Sequence, residues 1–138
     1  MEKLAESVNG SCLCGGVTFT IKNNFEQFHF CHCVQCQKTT GSAHASNLFV
    51  APSAITWVSG TEDVTRYDLP GRRISNAFCK LCGSRVPYLS LSGETLVVPA
   101  GTLEGTLSMS PRANIFWPEK AHWYQEGIQA PQYETYME

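Results

Sequence analysis

Hydrophobic and polar residues alternate along much of the chain, and this period of two is typical of half-buried strands. Val17, Phe19 and Ile21 fall on one face of an extended segment, with Thr18 and Thr20 on the other. Residues 25–30 then lead into a group of cysteines, and further strand-like segments cover residues 46–50, 55–58, 64–69, 73–78, 86–91 and 95–98. The pattern predicts a mainly β domain of short strands.

Turn residues separate the predicted strands. Pro70-Gly71 is suited to a tight turn between two strands, and Ser92-Gly93 to a second one. Helix is predicted only at residues 35–40, which Gly41 is suited to end. The remaining connections carry no long amphipathic segment or repeat.

Length and composition indicate one domain, which we place at residues 8–125, with a C-terminal tail at 126–138. Hydrophobic residues make up 43% of the 138 residues, enough for a real core. The formal charge is −2 and no basic block stands out, so we expect no nucleic-acid partner. No apolar run is long enough to span a bilayer and no secretory signal begins the chain, so we expect a cytoplasmic protein without membrane contact.

The seven cysteines call for an explanation other than disulfides, which are rare in a reducing compartment and fit an odd number poorly. They fall into three groups: Cys12-Leu13-Cys14, Cys31-His32-Cys33-Val34-Gln35-Cys36 and Cys79-Lys80-Leu81-Cys82. Such spacings are typical of zinc ligands. We therefore interpret the cysteines as metal ligands.

Four of these cysteines make a plausible closed site. Cys79 and Cys82 form a C-x-x-C turn that Gly83 can tighten with a positive φ. Cys12 and Cys14 lie on the same side of an extended chain and can converge where it bends. Together they would give zinc four thiolates, the ligand set of a structural site.

Cys31, Cys33 and Cys36 are then left over, and three protein ligands with an open fourth position are typical of a catalytic zinc. Two alternatives stay open from the spacing alone. Cys33 and Cys36 could instead join Cys79 and Cys82 in a zinc-ribbon pattern, although the intervening segment is longer than usual. A histidine could also complete the three-cysteine site, and the chain offers four: His29, His32, His44 and His122.

The cysteine motifs SCLCGGV (residues 11–17), CHCVQCQK (31–38) and FCKLCGS (78–84) resemble those of the glutathione-dependent formaldehyde-activating enzyme family, which shares its domain with centromere protein V. The resemblance implies a β-tent of packed antiparallel sheets with two zinc ions. It also implies a structural zinc on the four-cysteine set, Cys12, Cys14, Cys79 and Cys82. The second, open zinc is implied on the catalytic set, Cys31, Cys33 and Cys36.

The resemblance further implies a carbon–sulfur lyase, similar to S-(hydroxymethyl)glutathione synthase, that joins or separates a small thiol such as glutathione and a small aldehyde such as formaldehyde. A thiolate-rich, soft zinc site suits a sulfur ligand, which agrees with this chemistry. Lys38 directly follows the cluster and is our first candidate for a cation that binds substrate. Asn114 departs from the family, which often has histidine at this position.

Two other functions remain as alternatives. The same zinc-containing domain would serve as a non-enzymatic module that binds a thiol or a protein, or its three-cysteine cluster would act as a redox or metal sensor. An incomplete ligand set favours the enzyme, because a purely structural site would be closed.

Overall fold

Ten short strands, two α-helices and four 3₁₀ turns occur in a computed structural model that describes residues 4–137. The strands are β1 (Ser7–Ser11), β2 (Thr18–Lys22), β3 (Gln27–Cys31), β4 (Ala45–Val50), β5 (Ile55–Ser59), β6 (Val64–Asp68), β7 (Ser75–Cys79), β8 (Tyr88–Leu89), β9 (Leu96–Pro99) and β10 (Ala113–Ile115). The helices are α1 (Val34–Thr40) and α2 (Tyr124–Gln129), and the 3₁₀ turns are Pro52–Ala54, Thr61–Asp63, Ala100–Thr102 and Trp117–Glu119.

The strands form three sheets, with the orders β1-β2-β5, β10-β3-β4-β9-β8 and β6-β7. This confirms the prediction of a mainly β fold with little helix. One part of that prediction needs correction: β10 runs parallel to β3, so the largest sheet is mixed and not purely antiparallel. A three-residue strand at the edge can adopt this direction because a long connection separates it from its partner.

Predicted and observed elements agree best where one face of a strand enters the core. The predicted helix is confirmed as α1, and Gly41 ends it in the left-handed region at φ 63°. Gly71 and Gly93 also have positive φ in the two predicted turns. The predicted strand at 86–91 is much shorter in the structure, because Pro87 cannot donate a ladder hydrogen bond and pairing begins at Tyr88.

The two faces of the five-stranded sheet have different surroundings. One face packs into the main core, where cross-strand neighbours Phe28, Leu48 and Val98 lie in one row. Phe19 and Ile21 from β2 join the same core and are almost completely buried. The opposite face of this sheet forms the floor of a cavity described below.

The C-terminal segment folds back onto the domain. Helix α2 begins at Tyr124 and ends at Gln129, so the predicted division between 125 and 126 falls within it. That division stays a prediction, and residue 138 of the tail lies outside the described residues. Among residues 4–137, no helix has the length and apolar character needed to cross a membrane.

Candidate metal centres and cavity

The sulfur atoms of Cys12, Cys14, Cys79 and Cys82 all lie within 4.8 Å of one another. The Cys12 and Cys14 Sγ atoms are 3.5 Å apart, and the Cys14 and Cys79 Sγ atoms are 3.9 Å apart. Two thiolates bound to one tetrahedral zinc at about 2.3 Å would be separated by roughly 3.8 Å. The donor set and its spacing therefore fit a zinc ion.

Two glycine-containing turns bring these sulfurs together. Gly15 has φ 79° and its N–H donates to the Cys12 carbonyl at 3.1 Å. Gly83 has φ 78° and its N–H donates to the Cys79 carbonyl at 2.7 Å. Because an L-residue with a side chain is strained in this region, glycine suits both turns. Each turn presents its pair of thiols to the other.

Hydrogen bonds support the negative charge that four thiolates would carry. The Val17 N–H donates to Cys12 Sγ at 3.3 Å. Ser84 connects the two turns, since its Oγ accepts from the Leu13 N–H at 3.0 Å and lies 3.3 Å from Cys82 Sγ. The hydrogen bond with this hydroxyl lowers the pKa of Cys82 to about 5. Cys82 thus favours the thiolate form, which is the metal-binding form of cysteine, whereas the pKa of Cys14 is raised to about 11.

The second cluster forms where β3 passes into α1. Cys31 is the last residue of β3, Cys33 is the N-cap of α1, and Cys36 lies in its first turn. The Cys36 N–H donates to Cys33 Sγ at 3.3 Å, so the helix start itself positions the sulfur. All three cysteines are buried, and their sulfurs lie within 4.8 Å of one another.

The three thiols perturb one another strongly. Hydrogen bonding from Cys36 lowers the pKa of Cys31 to about 6, and the same contact raises the pKa of Cys36. Burial raises the pKa of Cys33. The cluster therefore ionises readily at Cys31. Cys33 and Cys36 would lose their protons only if a bound cation took the place of those protons. A soft divalent ion such as zinc fits this donor set.

No histidine completes the three-cysteine group: among the described residues, none of the four supplies a ring nitrogen within 4.8 Å of all three sulfurs. The zinc-ribbon alternative is also not formed, because Cys33 and Cys36 belong to a group separate from Cys79 and Cys82. A metal held here would keep a ligand position for another molecule.

His32 lies between two of these cysteines but faces away from them into an aromatic cluster. It is fully buried, so it lies behind the cysteines and not at the surface. Its Nε2 lies 2.9 Å from Asn114 Oδ1, and its ring is 5.0 Å from His44, 5.1 Å from Trp117 and 4.8 Å from Tyr124 between centroids. The C-terminal segment therefore packs behind the cysteine-bearing turn and fixes its position.

A cavity of about 290 Å³ opens beside the three-cysteine cluster. Cys31 and Cys36 line it, whereas Cys33 does not. Its floor is the second face of the five-stranded sheet, made of residues that are cross-strand neighbours: Ile115, Cys31, His29, Asn47, Phe49, Val97 and Tyr88. Strand register thus places the cysteine sulfurs at one end of a mostly apolar surface.

Arg73 and Ser75 line the same cavity from the side of β7, and Ser90 and Ser92 line it from the turn after β8. Arg73 is exposed and brings a positive charge to this opening. Lys38 is exposed on α1 and is not among the lining residues, so its role in substrate binding stays a prediction. No local motif in the sequence distinguishes Arg73 from the other arginines, so its place at the cavity could not be predicted.

The family model for glutathione-dependent formaldehyde-activating enzymes matches residues 7–119 of this chain. The chain belongs to this family. The match includes all seven cysteines, and so both candidate metal sites, and the strands that form the cavity floor. It ends before α2, so Tyr124, which packs on His32, lies outside the matched region.

The fold also resembles that of a solved structure. The crystal structure of a Rhodobacter sphaeroides protein superimposes with a TM-score of 0.61 at 25% sequence identity, covering 77% of this chain and 98% of that one. A comparison with curated proteins gave no match. Membership of this family implies glutathione-dependent activation of formaldehyde.

Proposed function

We propose that this member of the formaldehyde-activating family is a zinc-dependent carbon–sulfur lyase, with a structural zinc on the four-cysteine group and a second zinc on Cys31, Cys33 and Cys36. Its substrates would be a small thiol such as glutathione and a small aldehyde such as formaldehyde. One observation carries the proposal: an incomplete set of three buried cysteines lies at the end of a cavity, and two of the three, Cys31 and Cys36, line that cavity.

The three-cysteine set is suited to a thiol substrate more than to water. Zinc bound there would favour ionisation of a thiol at the remaining ligand position, because zinc deprotonates the thiols that it coordinates. Cys31 and Cys36 face the cavity, so a thiol that enters it reaches the sulfur-lined end. The thiolate, and not the thiol, is the nucleophile towards an aldehyde.

The reaction needs little more than correct placement of its two partners. The thiolate sulfur attacks the carbonyl carbon, a carbon–sulfur bond forms, and the carbonyl oxygen takes up a proton to give the S-hydroxymethyl adduct. The reverse reaction breaks the same bond and releases thiol and aldehyde. Holding nucleophile and carbonyl together in one cavity is the main source of acceleration that the site offers.

The walls of the cavity support this placement. Phe49, Val97 and Ile115 make much of the floor apolar, which limits water around the reacting groups. The volume of about 290 Å³ is close to the lower end of small-molecule sites, which span roughly 300–1,000 Å³. A small thiol and a one-carbon aldehyde suit this size.

Charge at the opening also agrees with an anionic thiol. Three thiolates and one zinc carry a net negative charge, and glutathione adds two carboxylates. Arg73 lines the cavity and can pair with a carboxylate, since guanidinium groups bind carboxylates well. Among the cations that the structure describes, we therefore favour Arg73 over Lys38 as the residue nearer to the substrate.

The test must use an exchange rate, because thiols and formaldehyde combine without help. Two-dimensional NMR exchange spectroscopy would follow interconversion of glutathione and its formaldehyde adduct with the zinc-loaded wild type, with Cys33→Ser and without protein. We expect the wild type alone to accelerate exchange. Equal rates with wild type and Cys33→Ser would contradict the lyase proposal for glutathione and favour a non-enzymatic thiol- or protein-binding module.

The same assay, run over a series of glutathione concentrations, separates the two candidate cations. We expect Arg73→Ala to raise the glutathione concentration that gives half-maximal exchange by roughly two- to fivefold, the range of an exposed ion pair of about 0.5–1 kcal/mol. Lys38→Ala is the matched change outside the cavity. A larger effect of Lys38→Ala would reverse the assignment in favour of the earlier prediction.

A further inference from the structure

Two different parts of the fold hold the three cysteines of the open site. Cys31 ends β3, and this strand pairs with β4 on one side and with β10 on the other. Cys33 and Cys36 lie beyond the sheet, at the start of α1, a helix of only seven residues. A helix this short is marginal by itself in water, so contacts with other segments must fix where it begins.

The side chain of Gln37 joins α1 to two other segments of backbone. Its Nε2 donates to the carbonyl of His32, the residue between two of the cysteines, at 2.8 Å. The same Nε2 donates to the carbonyl of Glu119 at 3.0 Å. An amide group has two N–H donors, and both are used here. Gln37 therefore ties the cysteine-bearing turn to a 3₁₀ turn that lies 82 residues away in sequence.

Glu119 makes a second contact with the start of the helix. Its Oε1 accepts a hydrogen bond from the Val34 N–H at 3.1 Å. Val34 is the first residue of α1, and an N–H at this position has no partner within a helix. The carboxylate and the backbone carbonyl of Glu119 thus hold α1 at two positions about one helical turn apart.

The turn that carries Glu119 begins at a strained residue. Among residues 4–137, Phe116 is the one non-glycine residue with a positive φ, at 55°. The Glu119 N–H donates to its carbonyl at 3.0 Å and closes the turn. A left-handed backbone is unfavourable for a residue with a Cβ, and the exposed Phe116 ring gains little from burial. Such strain is common where a functional site requires a particular geometry, which agrees with a turn that serves the neighbouring cysteines.

We propose that Gln37 and Glu119 are positioning residues of the open site: they fix the cysteine-bearing turn in the geometry that zinc needs, and so raise the affinity of this site for zinc. This rests on the proposed function, because it assumes a zinc ion on Cys31, Cys33 and Cys36. Three protein ligands give zinc fewer bonds than a closed four-cysteine site. The cost of ordering the turn therefore weighs more here, and hydrogen bonds that order it in advance reduce that cost.

Matched substitutions test this role. Gln37→Met removes both donors and keeps the length of the side chain, whereas Gln35→Met makes the same change in the same helix at a residue that makes neither contact. Glu119→Ala removes the carboxylate, and Glu119→Gln keeps an acceptor at the same place. Native mass spectrometry in zinc–EDTA buffers of graded free zinc concentration would count the zinc ions on each protein. Thermal unfolding would be measured on the same samples.

We expect Gln37→Met to raise the free zinc concentration that half-fills the second site by about five- to tenfold, with the first site unchanged. Glu119→Ala should raise it by about two- to fivefold, because one exposed hydrogen bond is lost. Glu119→Gln and Gln35→Met should match the wild type. A purely structural role would instead lower the Tm and leave the ratio of the two half-filling concentrations unchanged.

The outcomes separate this inference from the proposed function. If the wild type binds two zinc ions and Gln37→Met behaves like Gln35→Met, the positioning role is overturned and the lyase proposal stands. Equal weakening of both zinc ions in Gln37→Met would have the same meaning, because it indicates a general loss of the fold. A wild type that binds only one zinc ion would overturn both proposals. If Gln37→Met does not fold, Glu119→Ala decides alone, and a half-filling concentration equal to that of the wild type refutes the inference.

Discussion

Replacing Cys79 by serine should have a far larger effect on folding than replacing Cys33 by serine. Cys79 is completely buried in the main core, ends β7, and holds its Sγ 3.9 Å from that of Cys14, 65 residues away in sequence. Cys33 belongs to a smaller buried cluster with Cys31, Cys36 and Ala45. Both substitutions replace one sulfur atom by oxygen, Cys79→Ser in the four-cysteine group and Cys33→Ser in the three-cysteine group.

The expected losses of unfolding free energy differ clearly between the two substitutions. Structural zinc sites contribute about 10–16 kcal/mol of apparent binding free energy in small zinc domains. The total free energy of unfolding of a domain is only about 5–15 kcal/mol. Weakening the four-cysteine site through Cys79→Ser should therefore consume most of the stability of this domain. Serine at position 33 can still cap α1, since hydroxyl side chains are good N-caps, so we expect a loss of about 1–2 kcal/mol there.

Circular dichroism of the purified proteins would report folding, and native mass spectrometry would count bound zinc. We expect Cys79→Ser to be unfolded or recovered only in traces. Cys33→Ser should keep the β-sheet spectrum, retain one tightly bound zinc and show a Tm lower by roughly 3–10 °C. Comparable losses of folded protein in both variants would refute the division into a structural and an open site.

Two further predictions concern residues around the site. Asn114→Leu should cost about 1–3 kcal/mol in urea unfolding, because the Nε2 of fully buried His32 loses its partner; Asn114→Asp retains an acceptor, and an equal loss in that variant would contradict this reason. Gly60→Ala should lower the Tm more than Gly71→Ala, because both glycines have positive φ but only at Gly60 would a new Cβ clash with the Gly16 carbonyl oxygen. The left-handed backbone alone lowers the free energy of unfolding by about 1–2 kcal/mol in either variant. Equal losses of Tm in Gly60→Ala and Gly71→Ala would mean that the clash with the Gly16 carbonyl is relieved without cost.

The sequence predicts those strands in which alternation is enforced by a buried face, and it misses those that depend on a distant partner. β1 contains a single apolar residue, Val8, and glycine suits position 10 because a Cβ there would clash with the Phe19 ring. β10 has three residues and pairs with β3, more than 80 positions earlier in the chain. Neither relation leaves a local pattern, since the contacts that stabilise these strands are tertiary.

The two groups of cysteines could be predicted from the sequence for the opposite reason. Zinc ligands in turns need short, fixed spacings, so the spacing between nearby cysteines indicates how they are grouped. The cavity is different, because Arg73, Asn47 and Cys36 come from separate parts of the chain and meet only in the folded structure.

The cavity and the core depend on the same hydrogen-bonded ladder. In β4, Leu48 and Val50 face the main core, while Asn47 and Phe49 face the cavity. Because side chains alternate along a strand, a slip by one residue would bury Asn47 in the core and place Leu48 in the cavity. The large apolar residues of the core make such a slip very costly, since each contributes about 1.5–3 kcal/mol on burial. The packing of the core therefore also sets the positions of the cavity-floor residues Asn47 and Phe49 relative to Cys31.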